Sequence, residues 1–259
     1  MMNLEIQAIY VMWLRQMKRF VRSKSRLVVS IIQPLFFLLI LGSGFNQFQL
    51  ADIGNIDYRS FLAPGIITMA IVFSSMFTGI SVLWDKQFGF LQEVLVAPVS
   101  RLSIIIGRTL GGASVALVQG FIILLISIFL GIPFPGPLGI LLILLFMIFT
   151  AFTAVGFGLI FASKMNDFQS FPIIMNLVMM PLILLSSAFF TVIDTPMLLT
   201  IARVNPVFYM VDGLRGSLFG PAYLGSLYVN PPLINLIVVV SLSLITISVG
   251  SYSFSKSEA

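Results

Sequence analysis

The chain has 259 residues, 59% of them hydrophobic and only 9% charged, with a net charge of +5. A soluble domain carries roughly 25% charged residues, so this composition does not cover a water-exposed surface and lipid must be the main solvent. Cysteine and histidine are absent, which excludes disulfides, thiolate nucleophiles, Cys/His metal sites and Ser–His hydrolases.

The first predicted element is an amphipathic helix over residues 3–22. Ile6, Ile9, Tyr10, Trp13, Met17, Phe20 and Val21 recur every three or four residues and form one apolar stripe, while Glu5, Arg15, Lys18, Arg19 and Arg22 fall elsewhere. Such a helix lies in the membrane interface or packs on the protein's own cytoplasmic surface; its basic residues and Trp13 favour the interface. The basic run Arg15, Lys18, Arg19, Arg22, Lys24, Arg26 leads straight into a full-length apolar run. That placement points to an anionic lipid surface rather than nucleic acid, and it does not fit a cleavable signal peptide.

About 20 apolar residues are needed to cross a bilayer. Runs of this kind occur at Leu27–Phe45, Phe61–Trp84, Thr109–Leu130, Leu138–Ala162, Phe171–Ile193 and Leu233–Phe254, none containing Asp, Glu, Lys or Arg. They are too long and continuous for barrel strands. The expected fold is therefore an all-α integral membrane protein with six transmembrane helices in a single domain. With the N-terminus inside, the inner segments hold the basic run plus Lys86, Arg101, Arg108, Lys164 and Lys256, and the outer ones only Arg59, Arg203 and Arg215. The positive-inside rule thus predicts a multi-pass protein of the cell membrane with both termini cytoplasmic.

Two connections are long enough to hold structure. In the inner one, Asp85–Ile106, the residues Phe88, Leu91, Val94 and Leu95 share a helical face, Pro98 stops the helix, and Ser100 caps the next. A short stiff helix at 86–98 either passes a push from a soluble partner to both flanking spans or simply rests on lipid. In the outer one, 194–232, Asn205-Pro206 suggests a break, Val207–Phe219 is largely apolar, and Asp212 and Arg215 are spaced to pair on one helix face. Re-entrant helices or an ordinary loop both fit. Within the spans, Gln33, Gln119 and Asn176, with hydroxyls such as Ser74, Ser75, Ser186 and Ser187, line a pathway or bond across helix interfaces. Gly107-x-x-x-Gly111 allows close helix contact, and Pro34 and Pro181 sit where kinks form.

The run Gly89-Phe90-Leu91-Gln92-Glu93-Val94-Leu95-Val96-Ala97-Pro98-Val99-Ser100 resembles the loop between the second and third spans of type-2 ATP-binding-cassette (ABC) permeases, the membrane subunits of exporters, with the drug-resistance branch the nearest in pattern. The stretch from Pro181 to Phe190, then Pro196, Asn205-Pro206 and Asp212-Gly213-Leu214-Arg215, is similar to that family's fifth span and external re-entrant segment. The basic N-terminal helix leading to Gln33-Pro34-Leu35 is a third match. Lys86-Gln87 stands where many relatives carry Arg.

The resemblance implies that Phe88–Pro98 is a coupling helix seated in a groove of a separate ATPase. Phe90 and Leu91 would anchor it, Glu93 would make the polar contact, and Phe88, Gly89 and Pro98 would complete the residues coupling to the ATPase. It implies that Asn205, Pro206, Asp212 and Arg215 belong to an external gate. It also implies an assembly of two permeases, identical or related, with two ATPases. The chain has no Gly-x-x-x-x-Gly-Lys-Ser/Thr loop, so it binds no cofactor directly in the P-loop manner, and ATP with magnesium belongs on the partner. The 25 Phe and 13 Met suit an amphiphilic, drug-like or lipid-like cargo. An ion-coupled secondary transporter is the alternative; proton coupling usually needs an intramembrane carboxylate or histidine, and the spans offer none. An intramembrane enzyme lacks its usual constellations.

Overall fold

The computed structural model describes residues 2–44, 56–89, 98–165 and 167–257, and their regular structure is helical throughout. In chain order the helices are α1 (Met2–Arg22), α2 (Lys24–Gly44), α3 (Tyr58–Gln87), α4 (Arg101–Phe129), α5 (Pro137–Lys164), α6 (Ser170–Leu184), α7 (Pro196–Val204), α8 (Pro206–Phe219) and α9 (Pro232–Ser257). A single 3-10 turn, Pro221–Tyr223, links α8 to α9. Among the described residues, five helices are long and apolar enough to cross a membrane: α2 from Leu27, α3, α4, α5 and α9 up to Phe254.

Each boundary has a local cause. Asp57 caps α3, its carboxylate accepting from the Arg59 N–H at 3.4 Å, and Ser100 caps α4, its hydroxyl accepting from the Ser103 N–H at 3.2 Å. Asn205 ends α7 and caps α8, accepting from the Val207 N–H at 2.9 Å, with Pro206 in the first turn where its missing N–H does no harm. The Asn205-Pro206 break expected from sequence is therefore a junction between two short helices.

The core is built around α3, which is buried along most of its 30 residues and packs on α2, α4, α5, α6 and α8. Small residues let these helices approach. A side chain at Gly79 would meet the Gly158 carbonyl carbon at 2.8 Å, and one at Gly156 would meet Thr246 of α9 at 2.6 Å. Both of these contacts are thus matched by glycine on at least one side.

Two expectations need correction in detail. The run at 171–193 is helical only as α6, Ser170–Leu184, about 22 Å long and shorter than the roughly 30 Å hydrocarbon core. Residues 185–193 leave the helix because Ser187 adopts a left-handed conformation, φ 62°, and Ala188 lies against Gly65 of α3, where a Cβ would be 2.8 Å from its Cα. The second concerns α1. Its packed face is Ile9, Met12, Trp13, Gln16 and Phe20 rather than the full stripe read from periodicity; Ile6, Tyr10 and Val21 stay exposed. The packed face sits on α4, where Gly107 faces Ile9 and Met12 and Gly111 faces Gln16. The helix thus packs on the protein through this face and leaves Ile6, Tyr10 and Val21 open on the other.

The bundle has two distinct ends. The α1 end carries the roots of the 88–99 segment, with Phe88 and Gly89 on one side and Pro98 to Ser100 on the other. The opposite end carries the start of α3, residues 185–195, α7, α8 and the turn before α9.

Candidate functional site

Gln33, Gln119 and Asn176, which sequence could not relate to one another, line one cavity of about 830 Å³ between α2, α3 and α6, with Gln119 reaching in from α4. Ser30 and Ser74 add hydroxyls, and Phe37, Phe73, Phe77 and Met180 supply the apolar wall. Gln119 is buried and donates to the Ser30 hydroxyl at 2.9 Å, so it bonds across a helix interface and lines the cavity at once. A second space of about 490 Å³ continues toward the opposite end, sharing Phe37, Met69, Met180 and Leu184 with the first and adding Leu41, Phe61, Phe189 and Phe190. The two form one groove on the flank of the chain. Its part nearer α1 offers neutral hydrogen-bonding groups, its part nearer the opposite end apolar and aromatic ones, and among the described residues neither lining contains a charged side chain. Such a surface matches an uncharged polar group joined to an apolar body, because an ion entering it would lose water without gaining a counter-charge.

The end of the groove away from α1 is held by Arg215. Its guanidinium is fully buried, lies 3.9 Å over the Phe61 ring, and donates to the Ser187 carbonyl at 2.8 Å, the Ser187 hydroxyl at 3.0 Å, the Phe61 carbonyl at 3.2 Å and the Leu227 carbonyl at 3.4 Å. Asp212, three residues earlier, is equally buried but accepts from the N–H groups of Val229 and Asn230 and from the Asn235 amide, at 2.8–2.9 Å. The expected Asp212–Arg215 pair is therefore not formed. Each residue satisfies orphan backbone groups instead, one on the 187 and 227 turns and one on the approach to α9. Asn205 is tied in as well, its amide donating to the Leu182 carbonyl of α6.

At the α1 end the structure joins residues that sequence reading left apart. Arg15 grips Asp85 with both terminal nitrogens, at 2.7 and 2.8 Å, and Arg108 of α4 approaches the same carboxylate at 2.9 Å. Glu5 accepts from the Ser100 N–H at 2.9 Å and its hydroxyl at 2.9 Å. Hydrogen bonds from Ser103 and Ser100 hold the Glu5 carboxyl below the usual carboxylate range. Asp167, at the turn into α6, is lowered in the same way, first by the Ser170 hydroxyl and then by the Gln169 N–H. Of the coupling residues, Phe88 is exposed and leans on Trp84 at 5.5 Å, Gly89 has φ 75°, and Pro98 is exposed. Phe90, Leu91 and Glu93 lie outside the described residues.

Sequence reading missed Asp85, Arg108, Tyr58 and Asn235 as partners. Asp85 and Arg108 flank the inner connection and could be noted as charges at span ends, but their union with Arg15 crosses 70 residues of chain and has no local signature.

The ABC-2 type transporter family matches residues 7–219 of the chain. The chain is similar to the inner membrane transport permease YadH of Escherichia coli K12, 27% identical over 229 residues, covering 85% of this chain and 86% of YadH. It is 34% identical over 161 residues to YbhR of the same organism, named as a multidrug ABC transporter permease, covering 61% of this chain and 43% of YbhR. It is 32% identical over 133 residues to the transport permease ycf38 of Cyanophora paradoxa, covering half of this chain and 46% of that protein.

Proposed function

Because the chain belongs to the ABC-2 type transporter family, we propose that it is the membrane subunit of an ATP-driven exporter for an uncharged or weakly charged amphiphile, drug-like or lipid-like. The observation that carries the cargo class is the graded groove, with three carboxamides at its inner part and aromatic walls toward its outer part. Its open flank is closed by a second copy or a related permease, so the cargo moves between two subunits. Energy arrives from an ABC ATPase that binds ATP and magnesium and presses on the 86–98 segment. The α1 end and both termini face the cytoplasm, α6 with its non-helical continuation makes the sixth crossing, and α7 and α8 are re-entrant helices of the outer leaflet. The buried Asp212 and Arg215 stiffen that outer assembly, and the gate itself is made by the side chains in front of it.

The test is transport of a fluorescent neutral amphiphile in vesicles carrying the permease with its candidate ATPase. Uptake into inverted vesicles must need ATP, and Asn176→Leu with Gln33→Leu must change selectivity between polar and apolar cargo while leaving ATPase co-purification intact. Transport driven by an imposed ion gradient without the ATPase would establish the secondary-transporter reading instead.

A further inference from the structure

The six-cation run near the start of α2 is not one patch. Arg15 is engaged by Asp85. Lys18, Arg19 and Arg22 are exposed, and among the described residues none of the three has an ion-pair partner. The Glu5 carboxylate sits more than a dozen residues away on the same helix, about 20 Å along its axis, and is occupied by Ser100. Arg15, Lys18, Arg19 and Arg22 border a groove of about 660 Å³ whose apolar wall is Val11 and Leu14 and whose far end is Ser23. Positions 11, 14, 15, 18 and 22 recur at three and four residues and so share a face of α1. That face lies across the helix from the one packed against α4. The apolar run of α2 begins at Leu27, a few residues past Arg22, which puts the groove at headgroup depth when α2 spans the bilayer.

Exposed guanidinium and ammonium groups, a hydroxyl and an apolar wall at that depth complement one ligand: a phosphodiester carrying acyl chains. We infer that this groove binds the headgroup of an anionic phospholipid, and that the bound lipid steadies α1 as a brace across both roots of the 88–99 segment. Asp85, before that segment, is held by Arg15, and Ser100, after it, is held by Glu5. These two anchor residues stand about 15 Å apart along a single rigid helix. The lipid site rests on α2 spanning the bilayer from Leu27; the brace rests in addition on the exporter reading above.

The experiment is native mass spectrometry of the full chain, with phosphatidylglycerol, phosphatidylcholine and inorganic phosphate as probes, followed by vesicle transport. Phosphatidylglycerol is retained in preference to phosphatidylcholine, millimolar phosphate does not displace it, and Lys18→Gln/Arg19→Gln/Arg22→Gln weakens retention about a hundredfold. Arg19→Lys/Arg22→Lys keeps most of it. Equal retention of the two lipids, unchanged retention in the triple variant, or displacement by phosphate overturns the site. In vesicles with the ATPase, phosphatidylglycerol raises the amount transported per ATP for the native chain but not for the triple variant. Equal coupling with and without phosphatidylglycerol overturns the brace. Absence of ATP-driven transport in every lipid refutes the exporter reading and the brace with it, while the mass spectra still decide the lipid site.

Discussion

A guanidinium has five donors and no acceptor, so burying one is costly unless carbonyls surround it. Arg215 meets that condition at its two terminal nitrogens with the carbonyls of Phe61, Ser187 and Leu227, and the Phe61 ring covers its face. Arg215→Ala leaves these carbonyls without a donor in a dry site, and a loss of about 3 kcal/mol or more is expected. Arg215→Lys rescues little, because an ammonium does not span the same fork. Thermal unfolding of the purified protein checks both. Glu5 gives a prediction with a sign. Its folded pKa lies below the ordinary value of 4.5, so its contribution is complete above that value and is lost as pH falls through the lowered folded pKa. Mobility of a spin label on α1 is therefore flat from pH 8 to pH 5 and rises only in stronger acid; in Glu5→Gln it is raised at every pH and carries no such acid step. At this scale, sequence exposed the right residues and the wrong relationships. Asp212 and Arg215 are spaced as a pair, yet each turns to backbone groups that no local pattern announces.

Among the elements, α1 and α4 meet through a pattern that was visible and a partner that was not. Gly107 and Gly111 advertise a close contact, but the sequence does not say that the contact is the amphipathic helix, since a polar Gln16 sits in it. Gln16 is accommodated by the Ser81 hydroxyl at 3.0 Å, and Trp13 by the Ser114 hydroxyl at 3.0 Å. Gly107→Leu has no room against Ile9 and Met12, so α1 lifts from α4. A loss of about 1–3 kcal/mol and faster proteolysis near residues 2–22 are expected, read by limited digestion and thermal unfolding. The end of α6 escaped hydropathy for the opposite reason. Residues 185–193 are as apolar as the helix before them, and what ends the helix is Arg215 from far along the chain capturing Ser187.

For the whole molecule, the long apolar runs were legible because bilayer thickness sets a length that any observer can count. The sidedness proposed above from charge asymmetry is open to direct measurement. Asp194 and Lys256 are both exposed and belong to opposite ends of the bundle. Asp194→Cys is expected to react with an impermeant thiol reagent on intact cells, and Lys256→Cys only after lysis; the native chain has no cysteine to interfere. The reverse pattern would invert the topology. The graded groove was not legible, because three amides on α2, α4 and α6 converge only after packing.

Residues 187–189 are fastened to α3 at three successive points: Ser187 through Arg215 beside Phe61, Ala188 against Gly65, and the Phe189 carbonyl by the Tyr58 hydroxyl at 2.6 Å. In the exporter reading proposed above, that side of the exit is a fixed doorpost. On that same reading α2, little buried along its apolar span, is the leaf that swings. A covalent strap between Leu41→Cys and Phe190→Cys is expected to jam export, whereas one between Tyr58→Cys and Phe189→Cys, on the post itself, leaves it running.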